Sequence, residues 1–332
     1  MLLLCTALAQ EAPPITNGFE TGGFRSVGSF TAIKGNNGGS FCSGTLVKTR
    51  WAITAAHCLD AADDYLNDGW TLYFVVTNSV YDTWDAYAEV SEMTRHPDYS
   101  FDETNIDYDI GVLKLAEPIL TVGLMPMNTD QVLSSWKGED ITYVGFGITD
   151  TGREDGGIKR SVNIPLFEYD GQFIYTLDET PPVKNVCSGD SGGAALMKRE
   201  QDDAWELVGV NSFVWNSDGS TSIDCDAPGS GAAASRVDRN DDFLGGFFEV
   251  PEETHENDAD TDADTDTDTD TDTDGDSDSE PVDSGLTDSG LGGSPTPKDG
   301  KSTGFCAPVS APAWLAVAGL IGLLRRRRSQ SS

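Results

Sequence analysis

Between Phe24 and Leu115 short apolar runs alternate with polar turns, as in Gly44-Thr45-Leu46-Val47 and Thr71-Leu72-Tyr73-Phe74-Val75-Val76. The runs favour β-branched and aromatic residues, end at turn formers, and sustain no 3.6-residue period, so they predict strands. Asn36-Asn37-Gly38-Gly39 predicts a hairpin turn, because these residues tolerate positive φ. A second set of strands follows, of which Ile141-Thr142-Tyr143-Val144-Gly145-Phe146-Gly147 and Leu207-Val208-Gly209-Val210-Asn211-Ser212-Phe213 are the clearest.

The ends differ in kind from this middle. Met1 to Gln10 is an apolar run closing on a small-x-small pattern at Ala7 and Ala9, which reads as the end of a secretory signal, although it lacks a basic leading region; a buried first strand is the alternative. After Pro251 the chain turns to repeated Thr-Asp from Asp260 to Asp274, self-repelling and without apolar surface, so 251–303 is expected to be a disordered acidic linker. Asp270, Asp272, Asp274, Gly275, Asp276 and Asp278 follow the oxygen-ligand spacing of an EF-hand-like loop, but Pro281 occupies the last ligand position and Glu280 comes one residue early. Specific calcium binding and diffuse, weak calcium screening therefore both stand, the latter favoured because an alternating repeat generates such spacing by chance. The formal net charge of −35 over 332 residues argues against nucleic acid or an anionic lipid surface as partner.

The chemistry gathers in three places. Cys187-Ser188-Gly189-Asp190-Ser191-Gly192-Gly193 sets a hydroxyl between glycines. A serine needs a histidine base and a carboxylate to orient that base. Thr54-Ala55-Ala56-His57-Cys58 supplies the first, and Asp109, at the head of Ile110-Gly111-Val112-Leu113-Lys114-Leu115, supplies the second. The order along the chain is His, Asp, Ser, which subsequent α/β-hydrolase and subtilisin orders do not match.

With these motifs, roughly residues 15–250 resemble the trypsin-like (chymotrypsin-fold) serine proteases. The resemblance implies an all-β fold of two six-stranded antiparallel β-barrels with a short C-terminal helix, after a signal or pro-segment at 1–14. It places that helix at Asp241 to Phe248, where Gly245 and Gly246 would each weaken it by about 1 kcal/mol. By the same resemblance Ser191 attacks the scissile carbonyl, His57 is the general base, Asp109 orients the imidazole, and the N–H groups of Gly189 and Ser191 form the oxyanion hole. It pairs Cys42 with Cys58 and Cys187 with Cys225, which implies an oxidising compartment; no Cys-x-x-Cys or histidine cluster supports zinc, and no cofactor is expected.

The resemblance also makes Ile15 a new N-terminus whose ammonium pairs with Asp190, as in a zymogen, yet Pro13-Pro14 precede it where trypsin-like activators cut after Arg or Lys. Asn185 stands where trypsins carry the pocket-floor aspartate, and Ser212-Phe213-Val214 corresponds to the wall, with Val214 in place of a glycine. A protein or peptide substrate with a small apolar residue before the scissile bond follows. Ser230 to Val237, the far wall, admits more than one register. His96 is expected to be structural, Asp107 exposed, His255 solvated, and Cys5 and Cys306 unpaired.

Finally, Gly304-Phe305-Cys306, the apolar stretch Ala313 to Leu324 and Arg325 to Arg328 resemble the tripartite C-terminal sorting signals of Gram-negative surface proteins, the myxobacterial type above all. From Ala307 the span reaches about 27 Å, only just a bilayer core. Cleavage by sorting machinery after transient membrane insertion and permanent anchoring both fit the segment 304–332, and either puts the protein in the secreted or cell-surface class of the bacterial envelope. A degradative endopeptidase, a processing protease for one partner and a non-catalytic binding module on the same fold are the competing functions; loss of a triad residue would favour the last, and none is lost.

Overall fold

The computed structural model describes residues 14–102, 105–199, 202–218 and 224–248. Met1 to Gln10 with Cys5, His255, the acidic linker with its candidate calcium ligands, and the segment 304–332 with Cys306 lie outside the described residues.

Six strands, β1 (Val27–Lys34), β2 (Asn37–Lys48), β3 (Trp51–Thr54), β4 (Thr71–Val76), β5 (Ala86–Arg95) and β6 (Gly111–Leu115), close an antiparallel barrel in the order β1-β2-β3-β6-β5-β4. Phe30, Leu46, Ile53, Phe74 and Leu113 fill its interior. A second ring comprises β7 (Asp140–Gly145), β8 (Arg160–Tyr169), β9 (Phe173–Thr176), β10 (Ala194–Lys198), β11 (Trp205–Asn216) and β12 (Ser230–Arg236). It runs β8-β7-β10-β11-β12-β9 and closes through β8 and β9, with Phe19–Glu20 added outside β8. In β8 the strand period of two is plain: Val162, Ile164 and Leu166 are buried, while Asn163 and Phe167 face solvent.

The barrels share apolar packing. Val144, Ala194, Leu196, Leu207 and Val210 of the second belong to the same core cluster as Phe30 and Leu113 of the first. The expected C-terminal helix, α2 (Asp241–Phe248), forms despite its two glycines. Leu244 is buried in the shared core, and Phe247 and Phe248 lie 5.5 Å and 6.4 Å from Trp51. Burying one leucine is worth about 1.5–3 kcal/mol, enough to offset most of the glycine cost. A helix not expected from the sequence, α1 (Ala56–Asn67), follows β3 and buries Cys58, Leu59 and Ala62.

The first hairpin turns earlier than its sequence suggested. Asn37, Gly38 and Gly39 already pair with Lys34, Ile33 and Ala32, and the reversal falls at Gly35 and Asn36. Gly35, at φ +64°, supplies the positive φ that the turn requires.

Candidate active site

Pairing of Thr54 with Gly111 sets the segment after β3 beside the residues entering β6, so His57 and Asp109 meet. Asp109 is 0% exposed. Its Oδ1 accepts the His57 backbone N–H at 2.9 Å, and its Oδ2 accepts His57 Nδ1–H at 2.8 Å and the Ser212 hydroxyl at 2.5 Å. The backbone contact caps α1: Ala55 at the N-cap has no side chain to offer, and a carboxylate 52 residues away takes the N–H instead. With Nδ1 donating, the lone pair of His57 lies on Nε2.

Burial would raise the Asp109 carboxyl, but the His57 charge and the three hydrogen bonds hold it below the usual carboxylate range. Burial would likewise lower His57; the charge and hydrogen bond of Asp109, with a contribution from Asp60, outweigh it and raise the imidazole above 6.5. The His57 side chain remains 20% exposed and so open to a substrate.

Ser191 sits in a turn of the second barrel seated on the first. Ser43 N–H donates to Ser191 O at 2.8 Å, and Ser43 Oγ donates to Gly189 O at 2.9 Å while accepting Phe146 N–H at 3.0 Å. Ser43 adjoins Cys42, whose disulfide with Cys58 ties β2 to the residue after His57. Gly192 holds φ +79°, and a Cβ there would strike Thr54 Oγ1 and Ser43 O, so the turn rests against the first barrel with no room for a side chain. Among the described residues the N–H groups of Gly189 and Ser191 donate to no acceptor, and no hydrogen bond joins the Ser191 hydroxyl to His57. Such contacts often tighten only in the substrate complex.

Asp190 is 0% exposed, and its carboxylate accepts Gly147 N–H at 2.7 Å and Cys187 N–H at 2.9 Å. A Cβ on Gly147 would come within 2.6 Å of Asp190 Cγ, so that close approach needs glycine. Burial pushes the carboxyl up to about 7; the two N–H donors and the Arg160 charge oppose it without cancelling it. Ile15, at φ 45°, is buried, and Thr16 O accepts Asn185 N–H at 3.1 Å, but no ion pair to Asp190 is present among the described residues.

The side chain that the resemblance assigns to the pocket floor is uncharged and enclosed. Asn185 is 0% exposed; its Nδ2 donates to Ser230 Oγ at 3.1 Å and its Oδ1 accepts Val186 N–H at 2.9 Å. The far-wall register is now specific: Phe213 pairs with Ala233, Val214 with Ala232, and Trp215 with Gly231. Phe213 packs edge-on against Phe173 at 5.2 Å. The disulfide Cys187–Cys225 braces this end.

Some side chains stand elsewhere than expected. Asp107 is half-buried, not exposed, because Gln172 Nε2 donates to it at 3.0 Å. His96 is packed, stacked on Tyr108 at 4.5 Å, in line with a structural role. Ser43, Gln172 and Ser235, whose Oγ donates to Asp109 O at 2.7 Å, had no sequence motif to announce them. Among the described residues Cys42, His57 and Cys58 come within 4.8 Å of one another, but both sulfurs are in the disulfide and offer no thiolate to a metal.

The family profile described as Trypsin matches residues 20–228. Trypsin-1 of Salmo salar is 26% identical over 255 residues, 74% of this chain and 95% of that protein. Trypsin of Simulium vittatum is 30% identical over 192 residues, 52% of this chain and 70% of the relative. Ovochymase of Halocynthia roretzi is 29% identical over 189 residues, 52% of this chain, which spans only 12% of that longer protein.

Proposed function

The chain belongs to the trypsin family of serine-type endopeptidases, and from that premise we propose that it hydrolyses peptide bonds through an acyl-enzyme on Ser191. His57 Nε2 takes the hydroxyl proton as Ser191 Oγ attacks the carbonyl, and returns it to the leaving amine. The imidazolium formed in between is stabilised by Asp109. The carbonyl oxygen, as it gains charge, moves into reach of the Gly189 and Ser191 N–H groups; one such donor is worth about 2.7–4 kcal/mol of barrier. Water then repeats the cycle on the acyl group. The observation that carries this proposal is the buried Asp109 carboxylate with His57 Nδ1 at 2.8 Å, beside a serine turn whose N–H groups are unengaged among the described residues.

Substrates are proteins or peptides with a small apolar residue before the scissile bond. Asn185 offers no anion to Arg or Lys, and the branched side chain of Val214 narrows the wall. Release of the Ile15 α-ammonium would give the Asp190 carboxylate a cation. Two disulfides favour an oxidising compartment. Residues 15–250 form the protease domain in this proposal, and 251–303 and 304–332 serve display or sorting at the bacterial surface. Profiling on a peptide library, with Ser191→Ala as the blank, tests it. Cleavage after Ala or Val is expected; dominant cleavage after Arg or Lys would refute the pocket, and equal turnover by Ser191→Ala would refute the mechanism.

A further inference from the structure

Asp109 follows a strained residue: Tyr108 holds φ 49°, a left-handed conformation that costs a side chain bearing Cβ. The next N–H, that of Ile110, folds back to Tyr108 O at 2.7 Å, so Asp109 stands at the apex of a tight reversal. The hydrogen bond to the N–H of Tyr108 itself comes from outside the first barrel, from the hairpin joining β8 and β9. Gln172 Oε1 accepts Tyr108 N–H at 2.8 Å, and Gln172 Nε2 donates to Asp107 Oδ1 at 3.0 Å. One carboxamide thus grips the two residues ahead of Asp109 with both its polar ends.

Gln172 is itself held. Its N–H donates to Asp170 Oδ1 at 2.8 Å, and its carbonyl accepts Arg236 N–H at 2.8 Å, tying the hairpin to β12. From the adjoining residue of β12, Ser235 Oγ donates to Asp109 O. The first barrel braces the other side: His96 N–H donates to Ile110 O at 3.0 Å, and its ring stacks on Tyr108 at 4.5 Å and so limits where the tyrosine can swing, but neither bonds the Tyr108 N–H.

We propose that Gln172 is a positioning residue for Asp109: it holds Tyr108 left-handed and thereby fixes the carboxylate against His57 Nδ1. The proposal rests on the triad reading above. Without Gln172 the Tyr108 backbone relaxes towards negative φ, Asp109 turns with it, and His57 loses part of the charge and hydrogen bond that raise its basicity. Asp60, the other carboxylate acting on His57, lies on α1, is bound by Arg95 and Tyr99, and is untouched by the change.

The chain has three histidines, so the His57 ring can be assigned by difference and its titration followed by NMR whether or not the protein turns over. In Gln172→Ala the His57 midpoint is expected to fall by roughly half to one pH unit, with kcat down about tenfold and KM changed less than twofold. Adding Tyr108→Gly, which adopts positive φ freely, is expected to restore both the midpoint and most of kcat. A merely structural role predicts no such rescue. Gln172→Met keeps the bulk, removes only the hydrogen bonds and carries the same expectation, so failure of the alanine variant to fold leaves the test standing. An unmoved His57 midpoint, or a loss that Tyr108→Gly does not recover, overturns the proposal. Absence of peptidase activity in the wild-type chain would instead refute the triad reading, and the NMR midpoint would still decide whether Gln172 positions Asp109.

Discussion

Asp190 is a buried carboxyl with two N–H donors and no ion-pair partner among the described residues, and that imbalance gives stability a distinctive pH dependence. Its pKa is raised from 3.8 to about 7. The folded chain therefore binds a proton more tightly than the unfolded chain, and between these values it holds more protons. Stability must then fall as pH rises through that window. The gap is roughly three pH units, each worth about 1.36 kcal/mol, so a chain with the Pro14–Ile15 bond intact loses up to about 4 kcal/mol on this account. Asp190→Asn cannot ionise. Its amide nitrogen accepts no hydrogen bond, so one of the Gly147 and Cys187 N–H groups loses its acceptor, which adds a constant cost but no slope. The assay is urea unfolding of the two chains, each also carrying Ser191→Ala to prevent self-cleavage, from pH 4 to 7.5. Asp109 and His57 titrate in both chains and cancel in the difference. The wild-type residue is expected to lose ground steadily to asparagine as pH rises, and the trend should flatten once the bond before Ile15 is cut and its ammonium meets Asp190. A difference that is constant from pH 4 to 7.5 in the uncut chain would refute the reasoning.

Ser212→Ala removes one of three donors from a buried carboxylate and is expected to cost about 1.5–3 kcal/mol at neutral pH. Because the Asp109 pKa is depressed, that loss should shrink as pH falls through and below the usual carboxylate range, which urea titrations at pH 7 and pH 3 would check. Gly192→Ala forces a Cβ onto Thr54 Oγ1 and Ser43 O at φ +79°; an unfolding midpoint lowered by several degrees and loss of labelling at Ser191 are expected from thermal melts and a covalent probe. Since His57 must be neutral to act as base and its pKa is raised, the acid limb of kcat/KM should have its midpoint above 6.5, measurable on any turned-over peptide.

Much of this was legible in the chain because it is written locally. The apolar runs of β4, β7 and β11 are made by neighbouring residues, and Ser191, His57 and Asp109 each stand inside a short, distinctive run. What stayed hidden is carried by contacts between distant residues. Helix α1 has alanine at its N-cap, so nothing local marks its start; Asp109, 52 residues on, takes the N–H. Its signal was the apolar spacing of Ala56, Leu59 and Ala62. Asp107 looked exposed because its partner, Gln172, is 65 residues away in the other barrel. Ser43 lies in a plain strand and gains its role only when the turn 189–193 settles on it. The far wall of the pocket has three consecutive alanines, which leave the register open until pairing with Phe213 and Val214 sets it.

The most direct test is reaction of the folded protein with a fluorophosphonate, followed by mass spectrometry of the modified peptide. Phosphonylation confined to Ser191, abolished by Ser191→Ala and slowed at least a hundredfold by His57→Ala, is expected. Failure of properly folded protein with a free Ile15 amine to react at Ser191, or equal labelling in His57→Ala, would contradict it.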